Sequence, residues 1–319
     1  MLRNVKFSLR SSEIAAAVGG FNFICEADFI QATLGFHRER SERFHYILSL
    51  HRFYAIIHIG GDLMKTFCFT VDDNIRFLKE ITENNYSSIF EHPYLAMYKR
   101  LHEKFDLKVQ LNLFYRTENF DLSKMSSAYY SEWEENADWL KLSFHSDFDN
   151  VRPYEFSGYD EVYQDCKKVN EQIVRFSSPS ALAKTTTIHY CLTTAEGLKA
   201  LAENNILGLL GLFGSNENPR ISYGLSEAKA TRLRAGEILQ SEKISFAPID
   251  IVLNCFSKQE ILRQLENLLT RNNIWIMIHE QYFYADFMYY QPDFEEKLTA
   301  TFSFLKSHQY KSYHFEDLI

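Results

Sequence analysis

Two adjacent carboxylates, Asp72 and Asp73, end the short apolar run Phe67-Cys68-Phe69-Thr70-Val71. Neighbouring carboxylates repel if both are free anions, and ligation of one to a cation removes that conflict. His145 and Asp149 stand four residues apart, a spacing that lets both side chains reach one ion across a turn. His189 and His279 each close a further apolar stretch. Asp, His and a second carboxylate or His make a borderline site for Zn²⁺ or a similar divalent ion, with positions left open for water and substrate. Each residue also has a plainer reading. Asp72 or Asp73 would cap a following helix, and a lone histidine at a strand end is commonly a hydrogen-bonded structural residue.

Such chemistry requires that distant residues share one rim, and the strand pattern supplies one. An apolar run ending in Asp-Asp-Asn suits a buried parallel strand whose carboxyl end carries the site. From Lys65 onward strand and helix alternate, the signature of repeated βαβ units. Further strands are expected over 109–115, 139–145, 185–191, 206–213, 249–256 and 274–279. The third alternates Leu140, Leu142 and Phe144 against Lys141, Ser143 and His145. Val162, Cys166, Val169, Ile173 and Phe176 recur at helical spacing, and Pro93 opens another helix. Thr193 with Glu196, and Ser257 with Glu260, have the capping-box spacing. In a parallel barrel the strand ends would gather Asp72, Asp73, His145, Asp149, His189 and His279.

With 319 residues, of which 46% are hydrophobic, the chain has material for one large barrel or two domains. A net charge of −8 without a basic block argues against a nucleic-acid partner. The five cysteines are scattered and odd in number, which suits reduced thiols. No apolar stretch approaches the roughly 18 residues of a membrane span, and no leader pattern follows Met1, so a cytoplasmic protein is expected. Residues 1–63 lack sustained periodicity. Codons for Gly60-Gly61-Asp62 can spell a ribosome-binding site ahead of Met64, so the natural start is expected there, with 1–63 a translated leader and 64–319 the barrel.

The segment from Lys65 resembles the polysaccharide deacetylase superfamily of metal-dependent carbohydrate esterases. Its Thr-Phe-Asp-Asp-Gly motif is matched by Thr70-Val71-Asp72-Asp73-Asn74, its His-Ser/Thr-x-x-His/Asp motif by His145-Ser146-Asp147-Phe148-Asp149, and its last by Ile276-Met277-Ile278-His279. The resemblance implies a distorted (β/α)7 barrel. It implies Asp72 as general base, His279 as general acid, and Asp73, His145 and Asp149 as ligands of one divalent ion, Zn²⁺ first, with Co²⁺, Ni²⁺ or Mn²⁺ as alternatives. Asn74 replaces the motif's Gly and also accepts turn conformations. The Arg-Pro-Pro motif expected after the fourth strand, whose Arg orients the base, is absent; Ile188-His189-Tyr190-Cys191 stands there, offering His189 and Tyr190 as a further ligand or substrate contact.

The implied reaction removes an acetyl group from an N-acetylated sugar or related amide. Aromatic residues after His279, among them Tyr282 and Tyr284, could stack on sugar rings or simply pack over the barrel mouth. His279-Glu280 lacks the second His of a metalloprotease motif. Two alternatives stay open: a catalytically silent barrel that binds carbohydrate or a protein partner, and a metal-dependent hydrolase of small amides.

Overall fold

The computed structural model describes residues 64–148, 154–214 and 220–319. The expectations for residues 1–63 and for Asp149 fall outside the described residues. In chain order the strands are β1 (Thr66–Asn74), β2 (Val109–Arg116), β3 (Leu140–Phe148), β4 (Thr185–Thr186), β5 (Gly208–Gly211), β6 (Ser245–Pro248), β7 (Ile251–Val252), β8 (Asn273–His279) and β9 (Lys311–Ser312). The helices are α1 (Arg76–Asn84), α2 (Pro93–Phe105), α3 (Tyr130–Glu135), α4 (Tyr159–Phe176), α5 (Ala195–Glu203), α6 (Glu227–Arg234), α7 (Lys258–Leu268) and α8 (Phe294–Ser307).

One sheet runs β3-β2-β1-β8-β7, with β9 beside β1, and a second runs β4-β5-β6; every pairing between these strands is parallel. The sheets meet at two seams. At the first, the Leu142 N–H of β3 donates to the Ala181 carbonyl at 2.8 Å, and the Ala183 N–H donates back to Leu142 at 2.8 Å. At the second, one bent segment pairs with β5 through β6 and with β8 through β7. Counted once, and with the two-residue β9 beside β1 set aside, that segment gives seven parallel positions around the wall among the described residues. The (β/α)7 architecture is thus present, its distortion concentrated at the seams.

Both seams shorten strands that the apolar runs made longer. Pro248 cannot donate to a ladder, and at the bend the Asp250 carboxylate accepts the Trp275 N–H at 3.0 Å in place of a backbone carbonyl. The expected sixth strand over 249–256 therefore starts earlier, bends, and ends in a turn at Leu253–Cys255. The fourth is reduced to Thr185–Thr186 and the chain turns at His189–Cys191; Ser143 and Gln110 donate to the Thr185 carbonyl, and His145 to that of Thr187.

The helices cover the outside. Phe67 and Phe69 of β1 pack against Phe302 of α8, with ring centroids 5.7 and 5.1 Å apart. Alternation then turns Cys68, Thr70 and Asp72 to the interior. In α4 the buried residues are Val162, Cys166, Val169, Ile173 and Phe176, the stripe read from sequence. Truncating Ile173 or Phe176 to Ala would cost about 2–5 kcal/mol. Ser257 and Glu260 form the expected capping box. For α5 the cap falls one residue later than expected, on Thr194, whose hydroxyl accepts the Gly197 N–H at 3.0 Å.

Candidate active site

The loop after β1 is held by side chains from three other elements. Asn74 is fully buried: its amide donates to the Val71 and Asn112 carbonyls at 2.6 and 3.2 Å and accepts the Tyr94 hydroxyl at 2.8 Å. The left-handed conformation expected of Asn74 falls instead on Asp73, at φ 62°. Neither Asp72 nor Asp73 caps α1. That helix has Ile75 at its N-cap with no side-chain cap of its own, and Glu280 of the turn after β8 serves instead. Its carboxylate accepts the N–H groups of Ile75, Arg76 and Phe77 at 2.7, 3.0 and 2.7 Å. The capping alternative for the two aspartates is thereby removed.

Asp73, His145 and His189 converge, the one group of potential cation ligands found among the described residues. His145 Nε2 lies 3.1 Å from Asp73 Oδ1 and 3.2 Å from His189 Nδ1, and His189 Nδ1 lies 3.4 Å from the same Asp73 oxygen. Atoms bound at ~2.0–2.1 Å to a tetrahedral ion would be ~3.3–3.4 Å apart, so this triangle fits one cation. The tautomer fits too. His145 Nδ1 faces the Thr187 carbonyl and must donate to it, which leaves the Nε2 lone pair toward the triangle, as histidine ligands require. His189, weighed from sequence as an additional ligand, is the third member of that triangle.

Backbone strain gathers at the same place. Asn85, Asp106, Asn205 and Gln309 have positive φ just past helix ends, where left-handed residues are ordinary. Asp73, Tyr190, Cys191 and Tyr223 have φ of 62°, 60°, 54° and 60° with no such excuse, and Tyr190 and Cys191 directly follow His189. Strain of about 1–3 kcal/mol per residue persists only where surrounding structure imposes it, and it clusters at functional sites.

Asp72 is buried and pairs in register with His279 across β1 and β8. Asn112 donates its amide to Asp72 Oδ1 at 2.6 Å. Asn112 in turn accepts from Gln110, which is tied to Thr185, so a buried polar chain runs from Asp72 into the barrel. Burial raises the Asp72 carboxyl above its ordinary range, against the opposing pull of His145, His279 and the Asn112 amide. Burial also pushes Asp73 upward, but the neighbouring imidazoles of His145 and His189 hold it well below the usual range. His279 Nδ1 donates to Asn254 Oδ1 at 2.9 Å.

The other sequence candidates divide. Tyr190 is 47% exposed, with its ring centroid 4.1 Å from that of His189. Tyr282 is half-buried and packs on Phe287, with centroids 5.2 Å apart. Tyr284 is buried, its hydroxyl donates to Glu280 at 2.8 Å, and Arg76 covers its ring. Asn112, Glu280 and Gln281 were missed in the sequence. Gln110 and Asn112 did carry a signal, being amides at alternate positions of an otherwise apolar strand. Beside Asp73 lies a cavity of about 640 Å³, lined in part by Arg76, Phe114, Thr117, Gln281 and Phe287.

No family model matches the sequence, and no curated protein matches it. Solved structures do. A 4-alpha-glucanotransferase from Thermococcus litoralis aligns at 13% identity and a TM-score of 0.52, over 80% of this chain and 40% of that one. A family 4 acetyl xylan esterase from Clostridium thermocellum, in complex with a cobalt ion, aligns at 13% identity and a TM-score of 0.45, over 80% and 90%. A CE4 family pseudoenzyme from Bacillus anthracis aligns at 12% identity and a TM-score of 0.44, over 80% and 65%. At such identities the likeness speaks for the fold alone. The chain spans about two fifths of the glucanotransferase and just under two thirds of the pseudoenzyme. Family 4 carbohydrate esterases are thus among the solved structures to which the chain is similar.

Proposed function

We propose that the chain is a metal-dependent hydrolase that removes an acetyl group from an N-acetylated sugar or a related amide. The observation that supports it best is the Asp73–His145–His189 triangle beside a buried Asp72 that is paired in register with His279. Asp73, His145 and His189 would hold one divalent cation, and two imidazoles with one carboxylate suit Zn²⁺, with Co²⁺, Ni²⁺ and Mn²⁺ compatible. That cation supplies Lewis acidity toward an acyl carbonyl and toward water. Asp72, its carboxylate steadied by Asn112, accepts the proton of the attacking water. His279, steadied by Asn254, gives a proton to the departing nitrogen. Each proton transfer contributes about 10²- to 10⁴-fold.

The cavity disfavours an anionic substrate, because its wall carries the carboxylates of Asp73, Glu80, Glu83, Glu280 and Asp286 against Arg76 and Lys79. Arg76 is engaged by Glu80 and Asp286 at 2.8 and 2.6 Å, and Lys79 lies 3.9 Å from Glu83, so the cations on its wall are matched by carboxylates. A neutral N-acetylated saccharide fits that balance better than a phosphorylated one.

Metal analysis of the purified protein alongside Asp73→Ala and His145→Ala, with acetate release from N-acetylglucosamine oligomers, tests the reading. One equivalent of divalent ion and acetate release, both lost in the variants, supports it. No ion in the parent after incubation with zinc, cobalt, nickel or manganese turns it toward a silent binding barrel.

A further inference from the structure

Asp73 divides its carboxylate between two sets of neighbours. Oδ1 stands in the triangle with His145 and His189, whereas Oδ2 accepts the side-chain N–H of Gln281 at 2.8 Å. An ionised carboxylate only accepts, so the nitrogen of the Gln281 amide must be the atom that faces it. Gln281 follows Glu280, which is bonded to the first backbone amides after the Asp72-Asp73-Asn74 loop. Both ends of the Gln281–Asp73 bond therefore stand on backbone that is already fixed. Little further freedom is lost in forming it, which is how a supporting shell holds a ligand in place.

We propose that Gln281 is a positioning residue for the cation site: by occupying Oδ2 it confines Asp73 to one-oxygen ligation. The inference rests on the metal reading above. Without the amide, Oδ2 is free to turn toward the cation, and the carboxylate must be ordered at the moment of binding. Removing an outer partner of this kind typically costs about 10- to 100-fold in metal affinity.

Titration of the metal-free full chain with Co²⁺, followed by its visible spectrum, and with Zn²⁺ against a chelating indicator, compares the parent with Gln281→Met. Gln281→Leu serves as a second side chain of similar size without a donor. Thermal unfolding in excess chelator reports any purely structural role. The expected result is one equivalent bound by the parent, and affinity about 10- to 100-fold weaker in either variant. The cobalt spectrum should weaken as the coordination number rises, with metal-free unfolding unchanged. Equal affinity and an unchanged spectrum in a folded variant overturn this inference and leave the metal reading standing. No binding by the parent overturns both. A metal-free destabilisation large enough to account for the affinity loss assigns Gln281 to the fold instead.

Discussion

The Glu280 carboxylate accepts the backbone N–H of Phe77 at 2.7 Å across 203 positions of sequence, so the end of the last long strand caps the helix that follows the first. Between them lies the loop carrying Asp72 and Asp73. Glu280→Ala would strand three backbone donors and the Tyr284 hydroxyl in a buried setting. Each unpaired buried group costs about 1–3 kcal/mol, and the expected total loss is about 3–5 kcal/mol after partial relaxation. Glu280→Gln keeps an acceptor oxygen and should lose about 1–2 kcal/mol. Urea denaturation of the metal-free proteins checks both, and an alanine variant as stable as the parent would show that the cap is dispensable.

Asn112 donates its amide to Asp72 Oδ1 at 2.6 Å, a contact that steadies the proposed base in a chain without the arginine motif. A hydrogen bond to a charged group is worth about 1.5–3 kcal/mol, so Asn112→Ala should lower kcat by about 10- to 100-fold. KM and metal content should change little, because Asn112 touches neither the triad nor the cavity wall. Acetate-release kinetics with parallel metal analysis decide the matter. A rise in KM with kcat intact would place Asn112 in substrate binding.

The long elements were legible because their signals are local. The stripe from Val162 to Phe176 is a helix with that face buried, and the alternation around Ser143 and His145 turns both inward to bond with the β4 segment. What was illegible depends on partners far away in sequence. Glu280 has no local mark of a cap, since a cap is ordinarily sought within three residues of its helix. His189 was weighed behind Asp149 because Asp149 falls on the His-Ser/Thr-x-x-His/Asp motif, and nothing in the fourth apolar run, which continues to Cys191, announces that the strand stops at Thr186. Tyr282 and Tyr284 stayed open between a stacking platform and simple packing because neighbouring aromatics cannot be sorted by spacing in an irregular turn.

Stability should depend on pH through Asp250, whose carboxylate sits at the β6–β7 bend bonded to the Trp275 N–H and Arg271. Burial pushes it up to about 6 despite the guanidinium. An unfolded Asp titrates near ~3.9, so between about pH 4 and 6 the native state holds a proton that the unfolded chain has released. The stabilisation is therefore complete below about pH 4 and is lost as pH rises through 6, amounting to about 3 kcal/mol. Asp250→Asn should remove that slope. Denaturation of parent and variant at closely spaced pH values gives the difference directly, and parallel curves would show that Asp250 is ionised throughout.

The third ligand can be settled by pairing two variants. Asp73 Oδ1 and His145 Nε2 lie 3.4 and 3.2 Å from His189 Nδ1, which already closes a triangle of the size one tetrahedral ion needs. The two left-handed residues that follow His189 argue in the same direction, since the chain accepts strain in order to bring that imidazole inward. His189→Ala should therefore weaken zinc binding by at least ~100-fold, a ligand being worth more than the outer partners whose loss costs about 10- to 100-fold. Asp149→Ala should stay near the parent. The reverse pattern in a competitive zinc titration would return the role to Asp149 and leave His189 as a neighbour of the site. Loss in both would mean that four protein ligands share the ion, which favours a closed structural site over one that keeps a position for water.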